Sequence, residues 1–123
     1  MAVPPREDRF TVEASHAADA LVLVLAGELD HDTAEPLRQA LEAALADGAA
    51  RVLVDFSDVE FCDSTGLNAL LQGRLEAQKS GSRIEIAGLR PSIARMFRIT
   101  GADGVFTVHP DMAGALADRP QTA

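Results

Sequence analysis

A short polar segment that joins a strand-like run to a helix-like run constrains this chain more than any other feature. The run Arg51–Phe56 is mostly apolar, which is typical of a buried strand. The second run carries leucines at the spacing of one helix face: Leu67, Leu70, Leu71 and Leu75. Between the two runs lie Asp63 and Ser64. We expect Ser64 to be the N-cap, with its hydroxyl accepting from a free backbone N–H at the surface-exposed, positive end of the helix.

The length and composition predict a single domain. A chain of 123 residues can bury one hydrophobic core but is too short for two. Its apolar fraction of 47% and charged fraction of 24% are ordinary for a soluble globular protein. We expect a core over about residues 10–117, with loose tails at residues 1–8 and 118–123.

The sequence favours a cytoplasmic location. The longest apolar run, Ala20–Ala26, is far shorter than the ~18 residues of a membrane span. The N-terminus has early prolines and acidic residues in place of the pattern of a secretion signal. The single cysteine, Cys62, cannot form an internal disulfide, which fits a reducing compartment.

The formal charge of −8 limits the partners that the chain can bind. Nucleic acids and anionic membranes require a basic footprint, so we expect neither as a partner. An acidic surface instead favours a protein partner with a basic face.

Strand and helix patterns alternate along the chain. Strands are predicted over Arg9–Ala14, Leu21–Leu25, Arg51–Phe56, Arg83–Ala87 and Val105–Val108. Helices are predicted from Asp32 or Thr33 to about Asp47, from Ser64 to near Lys79, from Pro91 to Gly101, and over Asp111–Ala117. Loops or turns are expected over Gly27–Asp32 and after Phe56. The apolar side chains Ile93, Met96 and Phe97 are expected in the core.

This order predicts an α/β fold with a mixed, mainly parallel sheet of about five strands and about four helices. The short connection between the first two strands predicts an antiparallel hairpin at the N-terminus. Because functional loops of such sheets gather at the strand ends, Asp30 is expected at the same edge as Ser64.

Ser64 has two readings from the residues alone. It could simply cap the helix, which is worth ~1 kcal/mol. It could also accept a phosphate, since Gly66 would leave the approach open. A phosphate would add about −1.5 to −2 charges beside Asp63. A helix N-terminus tolerates that charge, but an interface built around a neutral serine would repel it.

Other chemistry at this segment has weaker support. A serine nucleophile usually has a glycine two residues before it and a base in reach, but Cys62 occupies that position and only His31 lies on a suitable loop. The Thr65 and Gly66 amides could cradle a nucleotide phosphate, although no Walker or GxGxxG pattern is present.

No metal site is expected. The histidines lack ligand spacing with each other and with Cys62, and we interpret them as surface or loop residues: His16, His31 and His109. Cys62 is expected to fill a small apolar gap.

Three short blocks follow one another along the chain: Gly27-Glu28-Leu29-Asp30, Asp63-Ser64-Thr65-Gly66-Leu67 and Phe97-Arg98-Ile99-Thr100-Gly101. In this order they resemble the STAS domain of bacterial anti-sigma factor antagonists. The resemblance covers roughly Phe10 to Ala117, and the fold that it implies agrees with the fold predicted above. Asn68 departs from the family pattern, in which glycine is common, and Cys62 departs from a larger apolar residue.

The resemblance implies a regulatory switch rather than an enzyme, with no cofactor. Unphosphorylated, such a protein binds an anti-sigma factor that is also a serine kinase, and so frees a sigma factor. Phosphorylation releases it, and a phosphatase restores it. Carried onto this chain, the acceptor is Ser64, with Thr65 a weaker second candidate. Asp30, Asp63, Thr65 and Gly66 would form the partner-binding region, and we expect a monomer. The alternative is a STAS-type interaction or nucleotide-binding module without anti-sigma antagonism.

Overall fold

The sheet of this domain has five strands, and its computed structural model describes residues 9–17 and 19–117. Within them the strands are β1 (Phe10–Ala17), β2 (Ala20–Leu29), β3 (Arg51–Cys62), β4 (Arg83–Ala87) and β5 (Thr107–His109). They lie side by side in chain order. β1 and β2 are antiparallel, and each later neighbouring pair is parallel. The predicted mixed sheet with an N-terminal hairpin is confirmed. The predicted tails, residues 1–8 and 118–123, lie outside the described residues.

Four helices follow strands in the described part of the chain, as predicted. They are α1 (Ala34–Ala46), α2 (Ser64–Lys79), α3 (Pro91–Thr100) and α4 (Met112–Ala117), with a short 3-10 turn at Ala102–Gly104. Glycine in the left-handed conformation follows α3 at Gly101, where φ is 79°, as is common at helix ends. None of the helices in residues 9–17 and 19–117 is long and apolar enough to cross a membrane.

The main core lies between the sheet and the first three helices. Its fully buried members come from the central strands and the facing helix stripes, among them Leu23, Leu25, Leu37, Leu41, Val54, Phe56, Leu70 and Phe97. Ile93 and Phe97 are buried and Met96 is partly buried, so the predicted apolar face of α3 is confirmed. A smaller cluster on the other side of the sheet packs under α4: Ala20, Val22, Leu53, Ala87 and Ala115.

Two central strands are longer than predicted. β2 continues to Leu29, so the predicted start of the following loop at Gly27 is wrong. β3 continues to Cys62, so the predicted turn directly after Phe56 is wrong as well. The β2–β3 ladder contains two register shifts. Such bulges interrupt the alternation of apolar and polar residues that marks a strand in sequence. The last strand also differs, since β5 begins only at Thr107 while Phe106 fills the core.

The predicted helix stripe is wrong at one position. Leu75 is 54% exposed, whereas Leu67 and Leu70 are buried. At ~100° per residue, Leu75 lies about 140° around the helix from Leu70 and faces away from the sheet. It lines an open groove of about 910 Å³ between α1 and the C-terminal half of α2.

A buried ionic cluster fastens α4 to the sheet, and sequence reasoning missed it. Arg51 is 2% exposed and donates to Glu85 Oε1 from Nε at 3.2 Å and from Nη2 at 2.9 Å. Its Nη2 also donates to the carbonyl of Ala115 at 2.7 Å. His109 Nε2 lies 2.8 Å from the same Glu85 oxygen. The interpretation of His109 as a surface or loop residue is therefore wrong, and Glu85 is buried as well.

Candidate functional site

The ends of β2 and β3 bring the two acidic residues of the candidate site together. Leu29 and Cys62 are the last residues of these parallel strands and pair with each other. One residue further on, the Asp63 amide donates to the Leu29 carbonyl at 3.1 Å. Asp30 and Asp63 therefore leave the sheet side by side, as the sequence led us to expect.

Asp63, and not Ser64, is the N-cap of α2. Its backbone is extended, with φ −101° and ψ −175°. Its Oδ1 accepts hydrogen bonds from the amides of Thr65 at 2.9 Å and Gly66 at 3.0 Å. The prediction that Ser64 caps the helix is wrong by one residue, because both side chains can cap and the carboxylate one position earlier takes both amides.

Ser64 is consequently the first residue of the helix and is exposed. Its hydroxyl makes no hydrogen bond within residues 9–17 and 19–117. The neighbouring Thr65 is half-buried. The Ser64 hydroxyl is therefore exposed, without a hydrogen bond to the described residues, at the positive end of a 16-residue helix.

Gly66 lies in the interior, so the expectation that it leaves the approach to Ser64 open is wrong. A β-carbon at this position would lie 2.6 Å from Leu29 Cγ and 3.1 Å from Cys62 Sγ. The glycine instead lets the first turn of α2 approach the ends of both strands closely. It fixes where Ser64 stands rather than offering a contact of its own.

Asp30 organises the loop between β2 and α1. Its Oδ1 accepts hydrogen bonds from the amides of Asp32 at 2.9 Å and Thr33 at 3.2 Å. Thr33 is the N-cap residue of α1, one of the two predicted positions, but its hydroxyl donates to the Glu28 carbonyl at 2.7 Å instead of capping the helix. The loop beside Ser64 is thus held by its own hydrogen bonds.

Arg9 completes this arrangement and was missed in the sequence. Its Nη1 donates to Asp30 Oδ2 at 3.1 Å and lies 3.6 Å from Glu28 Oε1. Burial alone would raise the pKa of Asp30, but the hydrogen bonds from Arg9, from the Asp32 amide and from the Thr33 hydroxyl outweigh it and lower the pKa. Gly27 permits this contact: its φ is 104°, and a β-carbon there would collide with the Arg9 carbonyl. In the sequence, Gly27 alone indicates that two backbone segments approach each other closely here. It does not indicate which segment lies against it.

The edge around Ser64 is acidic. Carboxylates stand at Glu28, Asp30, Asp32, Glu60 and Asp63, and Arg9 forms ion pairs with three of them. We call these residues together with Ser64 the acidic rim. A partner that approaches Ser64 meets a surface that attracts positive charge.

The structure gives the other chemistries no support at this site. His31 is exposed and pairs with Asp32 at 3.2 Å, and no hydrogen bond joins it to Ser64. Cys62 is buried against the core, and burial raises the pKa of its thiol to about 12, which confirms a gap-filling residue over a reactive one. No cluster of metal-ligating side chains occurs in the described ranges.

Replacing Asp63 with alanine should destabilise the domain by about 1 kcal/mol, because two helix amides lose their acceptor. Denaturant unfolding would measure the loss. Asp103→Ala, at an exposed residue of the 3-10 turn, is the matched control and should change the free energy of unfolding by less than about 0.5 kcal/mol. Equal losses in the two variants would contradict the capping role.

Comparison with known proteins places this arrangement in a family. The family profile described as "Mlab, STAS domain" matches residues 12–110, and the chain therefore belongs to the STAS-domain family. Within it, the chain is similar to the anti-sigma-F factor antagonist RsfB of Mycobacterium tuberculosis, with 30% identity over 91% of this chain and 94% of that protein.

Solved structures agree. The crystal structure of an anti-sigma factor antagonist from Mycobacterium paratuberculosis superposes with a TM-score of 0.82 at 30% identity, covering 90% of this chain and 94% of the other. The phosphorylated form of the Bacillus protein SpoIIAA shares the fold, with a TM-score of 0.69 at 23% identity, covering 87% and 97% of the two chains. The predicted family and fold are confirmed.

Proposed function

We propose that this chain is an anti-sigma factor antagonist controlled by phosphorylation of Ser64. Unphosphorylated, it binds an anti-sigma factor with serine kinase activity and so releases a sigma factor. Phosphorylated, it dissociates until a phosphatase removes the phosphate. Relatives of the chain that carry the name of anti-sigma factor antagonists support the first part of this proposal.

The single observation that supports the acceptor is the state of Ser64. It is exposed, it stands at the start of α2, and its hydroxyl is not engaged within the described residues. Because Asp63 accepts the hydrogen bonds from the first amides of α2, modification of Ser64 does not remove the helix cap. A phosphate at this helix end also interacts favourably with the helix dipole.

The catalytic groups for phosphoryl transfer would belong to the kinase. Transfer from ATP depends on positioning and on metal-assisted charge stabilisation. Ser64 has only a hydroxyl to offer, with no base bonded to it in the described residues. We therefore assign this chain the role of substrate and ligand in the cytoplasm, not of enzyme.

Recognition would rest on the acidic rim. Asp30 holds the loop between β2 and α1, and Asp63 caps α2 directly before Ser64. Gly66 lets the first turn of α2 lie close to the strand ends. Thr65 lies beside the acceptor but is half-buried, which makes it a poorer target. A basic surface on the anti-sigma factor would complement these carboxylates.

Mapping the phosphate tests the proposal. The full chain is incubated with ATP and the anti-sigma factor kinases of its own genome, and the product is mapped by mass spectrometry. We expect one phosphate per chain at Ser64, none in Ser64→Ala, and unchanged incorporation in Ser92→Ala, the exposed serine in the first turn of α3. Incorporation that persists in Ser64→Ala would overturn the assignment. Binding of a nucleotide by the isolated chain, without any kinase partner, would favour the nucleotide-binding alternative.

A further inference from the structure

An exposed aromatic side chain lies three residues before the proposed phosphate acceptor. Phe61 is 50% exposed. The other four phenylalanines are all in the core: Phe10, Phe56, Phe97 and Phe106. A half-exposed aromatic ring leaves apolar area in water, whereas burial of such area is favourable. Phe61 thus differs in exposure from all the other phenylalanines of the chain.

The register of the sheet shows which way Phe61 points. Leu29 and Cys62 pair at the end of the β2–β3 ladder and are buried on the helix side. Glu28 and Phe61 form the preceding pair and, by alternation, project from the opposite face. The ring thus stands at the same edge as Ser64 but on the side of the sheet away from α2.

The apolar cluster on that face of the sheet does not reach the ring. The cluster under α4 includes Leu53 of β3 and extends through Ala87 to the level of Asp55. Phe61 lies six positions after Asp55, which is about 20 Å of strand at ~3.3 Å per residue. The helix that closes this face of the sheet is therefore too distant to account for Phe61.

Two acidic residues flank Phe61. Glu28, directly across the ladder, has a side chain that is 47% exposed, and Glu60 is exposed next to Phe61 in the chain. Glu28 connects through Arg9 to Asp30, so Phe61 is continuous with the acidic rim. Aromatic side chains, phenylalanine included, are enriched in the cores of protein interfaces, whose rims are polar.

We propose that Phe61 is the apolar anchor through which the anti-sigma factor engages the acidic rim, an inference that rests on the proposed function. The complementary feature of the partner is an apolar pocket bordered by basic side chains. The carboxylates around Phe61 would attract such a border but would repel one another across an interface between two copies of this chain. Charge therefore favours the anti-sigma factor over self-association.

The role differs from that of Ser64. Phe61 would hold the partner without touching the reacting atoms, so its loss should affect binding and not the phosphoryl transfer step. Phe61→Ser should bind the anti-sigma factor at least tenfold more weakly. In the kinase reaction, KM should rise by a similar factor while kcat stays within about twofold, which is the signature of lost binding energy.

The test uses the full chain and the anti-sigma factor kinase that phosphorylates Ser64 in the mapping experiment. Ile99→Ser is the matched control, since Ile99 is 74% exposed on α3 and outside the acidic rim. It should bind like the wild type. Phe61→Leu, which retains an apolar side chain, should lose less affinity than Phe61→Ser and provides the readout if the serine variant folds poorly. Thermal melting of each variant verifies the fold.

Three outcomes would overturn the proposal. Wild-type affinity in both Phe61→Ser and Phe61→Leu would show that Phe61 does not contribute to binding of the anti-sigma factor. The proposed phosphorylation of Ser64 would not be affected by that result. A wild-type homodimer that Phe61→Ser dissociates would assign the ring to a second copy of the chain. A wild-type protein that neither binds nor is phosphorylated by any anti-sigma factor kinase would overturn the proposed function itself, and the anchor with it.

Discussion

Replacing Arg51 with methionine should lower the free energy of unfolding by about 3–5 kcal/mol, a large share of the stability of a small domain. Methionine fills similar space but leaves the Glu85 carboxylate buried without its main cation. It also removes the bond to the Ala115 carbonyl, which fastens α4 to the sheet. The measurement is urea unfolding, read from the midpoint at constant slope.

Two further variants separate the buried charge from a general loss of packing. Lys79→Met removes an exposed cation that pairs with Glu76 at 3.1 Å, and it should change stability by less than about 0.5 kcal/mol. The double variant Arg51→Met/Glu85→Leu should recover part of the loss, because it also removes the buried carboxylate that the single variant leaves without its main cation. If Arg51→Met is as stable as Lys79→Met, the buried ionic cluster does not contribute about 3–5 kcal/mol to the free energy of unfolding, and the prediction is wrong.

The same cluster predicts how stability depends on pH. Burial would raise the pKa of Glu85, but hydrogen bonds from Arg51 and His109, with Arg83 nearby, outweigh it, and the folded-state pKa is lowered. A group whose pKa is depressed by folding stabilises the fold above its unfolded-state pKa and loses that contribution as pH falls through the folded value. Wild type should therefore exceed Glu85→Gln in free energy of unfolding by the largest amount near neutral pH, and this difference should decrease below about pH 4. A constant difference down to pH 2 would contradict this account.

Local patterns in the sequence predicted the architecture well. Strand β4 and helix α2 end where the predictions placed them, because the apolar periodicity of each segment marks those limits directly. The meeting of Asp30 and Asp63 followed from a general property of parallel sheets, whose strand ends share one edge. Both successes depend on neighbours in the chain or on topology, not on particular side-chain partners.

The missed features depend on contacts between residues far apart in the chain. Arg51, Glu85 and His109 come from three strands, and each alone resembles an ordinary polar residue. Arg9 lies 21 residues before Asp30, and nothing in the sequence around it points to that partner. The cap assignment was wrong for another reason, since Asp63 and Ser64 both suit the N-cap and only the backbone geometry separates them.

Phosphorylation of Ser64 should weaken binding to the anti-sigma factor by about a hundredfold, which corresponds to about 3 kcal/mol. The phosphate adds about −1.5 to −2 charges to a rim that already carries an excess of carboxylates. Within the domain the helix end accommodates this charge, so the melting temperature should change by only a few degrees. At the interface the same charge must be desolvated, or it prevents close approach altogether.

Calorimetry on the purified, fully phosphorylated chain and on the unmodified chain provides the measurement. Ser64→Asp should reproduce part of the loss, because it supplies a single negative charge. Ser92→Asp is the matched control: it places the same charge in the first turn of α3, at a residue that is not part of the acidic rim, and should retain wild-type affinity. Raising the salt concentration should reduce the difference between the phosphorylated and unmodified forms to the extent that the repelling charges are exposed. Equal affinity of the two forms at low salt would mean that charge at Ser64 does not control binding, even if Ser64 is the residue that the kinase modifies.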